Sequence, residues 1–90
     1  MNGDILKEAH ALINAERQDD YGDPTYNFSR TAELWSAYLG HTTTAKDVAI
    51  CMALLKVARE ARHHKWDNLL DAVGYLALAS DMVGKNEDRR

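Results

Sequence analysis

Apolar residues recur at helical spacing through most of the chain. From about residue 4 to residue 18, Ile5, Leu6, Ala9, Leu12 and Ile13 fall on one stripe, while Lys7, Glu8, Glu16 and Arg17 turn to water. The stretch "DDYGDPT" then breaks the pattern. Gly22 tolerates positive φ, Asp23 can cap, and Pro24 suits a first helical position, where its missing N–H is not needed. A second helix therefore runs from Pro24 to Leu39. Phe28, Ala32, Trp35 and Leu39 share one of its faces, Leu34 and Tyr38 widen the stripe, and Gly40 offers a left-handed stop. A third helix begins after Thr44, which forms a capping-box pattern with Asp47, using Asp where Glu or Gln is usual. Asp47 is thereby a cap or a functional carboxylate. From Val48 to Ala58 the helix carries one charge, Lys56. The fourth helix opens with Asp67 as N-cap and closes at Gly84, and its only charges before Asp81 are Asp67 and Asp71.

With a single proline and no β-branched alternation, the pattern predicts an all-α, four-helix single domain over residues 1–84. The charged tail "KNEDRR", residues 85–90, is expected to be mobile. Helices three and four are joined by a short connection around "RHHKW" and should form a central antiparallel hairpin. Gly74 costs about 1 kcal/mol of helix propensity relative to Ala, which suggests a close helix crossing there. Both inner helices are apolar almost all round. A 90-residue domain buries only roughly 60–65% of its unfolded surface, so the hairpins are expected to pack into a homo-oligomeric bundle, a dimer or larger.

Asp71 poses the chemical question, because an ionised carboxylate in an apolar helix costs several kcal/mol to bury without compensation. Lys56 and Asp71 both lie roughly 10–12 Å from the connection, counted at 1.5 Å per residue, and each is the lone charge of its apolar run. They are expected to pair, either as a structural ion pair or within a shared polar site. Lys56, Arg59, Glu60 and His63 recur at helical spacing on helix three, as do Asp67, Asp71 and Gly74 or Tyr75 on helix four. Glu60, Asp67 and Asp71 have the oxygen chemistry for Mg²⁺, and Lys56 and Arg59 the charge for phosphates. The alternatives are a solvated helix surface for Arg59 and Glu60 and a plain N-cap for Asp67. His63 and His64 are adjacent, hence on different faces, and read as exposed loop histidines rather than a zinc pair.

A second candidate stretch is "YGDPTYNFSR". Tyr21 and Tyr26 could stack on a base, Asn27 supply a recognition hydrogen bond and Arg30 a phosphate contact; alternatively Tyr21, Tyr26 and Phe28 close the core and Asn27 ties down a turn. Phe28 is the one for which the core reading is favoured.

Charge and cysteine usage narrow the partners. A formal net charge of −3 and a pI near 5.7 argue against a sequence-specific nucleic-acid binder, with residues 56–65 as a local basic exception. The one cysteine, Cys51, lies in the apolar run "VAICMALL" and reads as a small hydrophobe, so a reducing cytoplasm is the expected location. No apolar segment reaches the roughly 18 residues that span a bilayer, and "MNGDILKEAH" lacks signal-peptide character, so no membrane partner is expected.

Three segments, "ERQDDYGDPTYNFSRTAELWSAYLG", "KDVAICMALLKVARE" and "KWDNLLDAVGYLALAS", resemble a family of small uncharacterised proteins of bacteriophages and prophages, over roughly residues 16–83. At one remove, "DNLLDAVGYLALASD" is similar to the second metal-binding helix of MazG-like all-α nucleoside triphosphate pyrophosphohydrolases. That likeness implies an oligomeric, Mg²⁺-dependent enzyme that releases pyrophosphate. The chain departs from the MazG pattern: "KVARE" keeps only Glu60 of its Glu-Glu-x-x-Glu helix, and Asp67 precedes Asp71 by four residues where the pattern has three. Three functions are thus in view: a nucleotide pyrophosphohydrolase, a protein that captures a nucleotide or cyclic nucleotide without cleaving it, and a structural oligomeric module.

Overall fold

The structure is a computed structural model and describes residues 3–16 and 24–83. Among these residues every regular element is helical. We label the α-helices α1 (Asp4–Ala11), α2 (Pro24–Leu39), α3 (Ala45–Arg62) and α4 (Trp66–Asp81); α1 continues into a π-helical segment, Leu12–Glu16. Residues 17 and 18, the expected end of the first helix, lie outside the described residues, as does Tyr21.

Local chemistry accounts for most of the boundaries. Gly40 takes φ 67°, and its N–H donates to the Ser36 carbonyl at 2.9 Å, so α2 ends on a left-handed glycine as expected. Thr44 and Asp47 form the complete capping box: the Asp47 N–H donates to Thr44 Oγ1 at 3.2 Å, and the Thr44 N–H to Asp47 Oδ2 at 3.0 Å. Between the two helices the Ser36 hydroxyl accepts from the Thr43 N–H at 2.8 Å, tying the connection to α2.

The fourth helix differs at both ends from the sequence reading. Its N-cap is Lys65, without a side-chain cap bond, and Asp67 stands inside the first turn, where its charge complements the helix dipole. Its last residue is Asp81, ahead of Gly84, which is outside the described residues.

α4 packs most extensively on α3, and α1 lies against α4 while α2 lies against α3. Small residues line these seams: Ala49 and Ala53 on α3, Ala72, Gly74 and Ala79 on α4, Ala32 on α2 and Ala9 on α1 are all buried. At Gly74 a Cβ would stand 3.4 Å from Ile13 Cγ2, about van der Waals contact with a side-chain methyl, so the glycine packs under Ile13 without a backbone crossing that excludes a side chain. Ile13, Ala53, Tyr75 and Leu78 form the centre of the core, with Phe28 and Met52 packed against it, which supports the core reading of Phe28.

The outer stripes differ from expectation. Leu6, Leu34, Tyr38 and Leu39 are exposed, because α1 and α2 each meet one main neighbour and bury only a narrow line of side chains. Cys51 is exposed as well. No helix of the described residues is long and apolar enough to cross a membrane.

Candidate functional site

Lys56 and Asp71 meet. Lys56 Nζ lies 3.0 Å from Asp71 Oδ2, with side chains 16% and 20% exposed, so the matching depth inferred from sequence is realised as an ion pair in the α3–α4 seam. Beyond the pair, the seam opens into a cleft of about 520 Å³ lined by Lys56, Arg59, Arg62, His63, Lys65, Asp67, Asn68 and Asp71. That volume lies in the range of small-molecule sites.

The lining carries four cations, Lys56, Arg59, Arg62 and Lys65, against the two carboxylates of Asp67 and Asp71. Counting His63 as neutral leaves a surplus of two positive charges on a chain whose net charge is −3. The Lys56–Asp71 pair neutralises itself, so the surplus resides in the exposed heads of Arg59, Arg62 and Lys65. Arginine forks of this kind suit bidentate contact with phosphate or carboxylate oxygens.

Glu60 stands behind this wall as a fastening. Its Oε1 accepts from the Lys65 N–H at 3.0 Å and from Asn68 Nδ2 at 3.4 Å, and its Oε2 meets Nδ1 of His64. These contacts, the His64 bond first and then the Lys65 N–H, hold its carboxyl below the usual glutamate range. Asn68, 8% exposed, also reaches the His63 carbonyl at 3.4 Å, so one buried amide ties the α3–α4 connection to both helices. His63 and His64 are exposed, as their adjacency suggested.

Among the described residues no group of three or more His, Cys, Asp or Glu stands together as a metal cluster. Glu60, Asp67 and Asp71 are therefore not gathered into one ligand set within the chain. The physical reason is that Asp71 faces an ammonium and both oxygens of Glu60 are engaged in the connection. Tyr75 is placed in the core, 8% exposed and stacked on Phe28 with ring centroids 6.2 Å apart, and it does not line the basic cleft. Asn27 and Arg30 lie on α2, also outside the cleft lining; the Asn27 carbonyl accepts the Thr31 hydroxyl at 3.1 Å.

The sequence pattern of a family described as "Domain of unknown function (DUF6378)" matches residues 4–83. The chain belongs to this family. Two relatives of the chain come from mycobacteriophages, in line with the phage family that the sequence resembles. The gene 55 protein of Mycobacterium phage L5 is 41% identical over 88 residues, covering 94% of this chain and 56% of that protein. The gene 55 protein of Mycobacterium phage D29 is 41% identical over 76 residues, covering 83% and 50%. This chain thus spans about half the length of the curated relatives it matches. No solved structure matches it.

Arg62, Lys65 and Asn68 are site residues that the sequence reading did not single out. The signal for the first two was present in the basic run at 56–65, whose members come from a helix end and a loop and converge only when α3 and α4 pack. Asn68 had a weaker signal, an amide three residues before Asp71 in an apolar helix.

Proposed function

We propose that this DUF6378 chain captures a phosphate-bearing nucleotide, cyclic or linear, in the basic cleft at the connected end of an antiparallel α3–α4 hairpin. The surplus of two positive charges around a ligand-sized cleft is the observation that carries this reading. Arg59 and Lys65 meet the phosphate, and the exposed His63 offers a polar edge to the rest of the ligand. The Lys56–Asp71 pair at the inner side keeps the floor polar and fixes the register of the two helices. Order 56 to 71 and 60 to 68 is the running order of antiparallel neighbours.

Capture is favoured over the pyrophosphohydrolase chemistry implied by the remote MazG likeness. A Mg²⁺-dependent hydrolase holds its ion through several carboxylates, whereas here one carboxylate is matched to a lysine and another to a histidine, an amide and a backbone N–H. These residues do not fit the metal as a set, and no metal step is assigned to them. Capture needs only cations, which bind phosphate without an ion between.

The test is a thermal-shift panel in EDTA with mono-, di-, tri- and cyclic nucleotides, inorganic phosphate and pyrophosphate. A ligand at a hundred times its Kd stabilises by about 2.7 kcal/mol, which at this chain size raises Tm by roughly 10 °C or more. Arg59→Glu should abolish the shift, and added salt should weaken it. Absence of any shift across the panel refutes capture. Release of pyrophosphate from a triphosphate with Mg²⁺ or Mn²⁺ would replace capture by hydrolysis.

A further inference from the structure

The side of α3 turned away from the core carries the wrong chemistry for water. Leu54 is 61% exposed, Val57 54% and Leu55 42%, and Cys51 and Ala58 beside them are exposed too. At 100° per residue, Asp47, Cys51, Leu54, Ala58 and Arg62 fall on one line of the helix, with Leu55 and Val57 flanking it. The line begins with an acid and ends with a base, and its interior is apolar or small.

We propose that this face of α3 pairs with the same face of a second copy of the chain, the two helices antiparallel about a two-fold axis passing between Leu54 and Leu55. The pattern is symmetric about that point. Antiparallel pairing sets Asp47 against Arg62 of the partner subunit, Cys51 against Ala58 of the partner subunit, and Leu54 against Leu55 of the partner subunit. Charge complementarity selects this occupant and this direction: parallel pairing would set Asp47 against its own copy and Arg62 against its own copy. Asp47 is held in the charged form by the Thr44 N–H and hydroxyl, and the Thr44 N–H bond uses only one of its two carboxylate oxygens. The small Cys51 and Ala58 flank the leucines and leave room for them to seat in the facing helix.

Association also answers a deficit in the single chain. Among the described residues eleven large apolar side chains are exposed, whereas Val48 is the largest that is fully enclosed. Domains of this size are marginal on their own core.

The experiment is to measure the mass of the protein in solution by sedimentation equilibrium and to cross-link an Ala58→Cys variant under mild oxidation. The expected mass is twice the 10.1 kDa of one chain. The variant should form a covalent dimer through Cys51 and the new thiol, and the natural sequence should not. Positions 51 and 58 of one helix stand about 10.5 Å apart along its axis, beyond the roughly 7 Å that a disulfide bridges, so no bond can form within a chain. Leu54→Glu should return the mass to one chain with its helical circular dichroism retained. A one-chain mass for the natural sequence overturns the proposal and leaves the face to a different partner. A dimer whose Ala58→Cys variant stays uncross-linked overturns it equally, because another face must then hold the copies together.

Discussion

Leu55 and Lys56 are neighbours in the chain, and each occupies the place that hydropathy assigns to the other. The lysine is directed into the α3–α4 seam against Asp71, while Leu55, with Leu54 and Val57, faces outward. The inner side of α3 is built from Val48, Ala49 and Ala53, a line narrow enough for α4 to approach closely, and the charges on that side are matched, Lys56 by Asp71 opposite and Glu60 by the Lys65 N–H and Asn68. On the outer side no such match exists among the described residues. Position in this fold is thus set by what each side chain can be paired with, and apolar character alone decides neither face.

Breaking the inner pair should have the largest effect. Lys56→Met removes the cation and leaves the Asp71 carboxylate largely shielded from water, which destabilises the fold by roughly 1–3 kcal/mol, the lower part of the range because both groups keep some solvent contact. At this size each kcal/mol lowers Tm by roughly 4–8 °C. The double variant Lys56→Met with Asp71→Leu should recover most of that loss, since it leaves no unmatched charge. Denaturant titration of the two single variants and the double gives the coupling. If the double variant is as unstable as the sum of the singles, the two charges are not coupled, and the inner face is no different in kind from the outer one.

Much of this contrast could be read from residue order because it rests on local rules. The capping box at Thr44 and Asp47, the glycine stop at Gly40 and the equal depth of Lys56 and Asp71 need only helix geometry and a short connection. What could not be read was the choice among neighbours that propensity leaves equal. Asp67 was as good an N-cap as a sequence can offer, yet α4 starts one residue before it. Glu60 satisfies the Lys65 N–H from across the connection, and the Asn68 N–H turns back to the Lys65 carbonyl at 3.0 Å, so the helix starts without a capping side chain. Tyr75 shares the helical spacing of Asp67 and Asp71, but it sits one position beyond Gly74, and that rotation carries its ring into the core against Phe28. On α2 the stripe counted from Phe28 to Leu39 was too wide, because the number of helices that cover a face is not written in that face.

The Glu60 fastening gives a pH dependence of smaller size. Its folded pKa lies below the ordinary value of 4.5, so unfolding takes up protons in acid, and the stabilisation is complete above that value and fades as pH falls below it. Asp47 acts in the same direction from its ordinary value of 3.8, through the Thr44 N–H and hydroxyl. Tm measured from pH 7 downward should therefore decline on the acid side, and Glu60→Gln should make the decline shallower below about pH 4.5. Parallel curves for the two proteins would mean that Glu60 does not hold the connection, and the inner face would then rest on Lys56 and Asp71 alone.

The smallest effect separates close packing from charge matching on the inner side. Gly74 lies under Ile13, and an added Cβ would meet Ile13 Cγ2 at 3.4 Å, a contact that a terminal methyl can accommodate by a slight turn. A glycine inside a helix is less favourable than alanine by about 0.5–1 kcal/mol. The propensity gain exceeds the packing strain, so Gly74→Ala should stabilise the fold by a few tenths of a kcal/mol, read as a small rise in denaturation midpoint with unchanged slope. A loss of about 1 kcal/mol or more would show that the π-helical segment cannot yield at Ile13. Steric fit would then fix the seam before charge does, and Lys56 and Asp71 would meet because the backbones bring them together rather than the reverse.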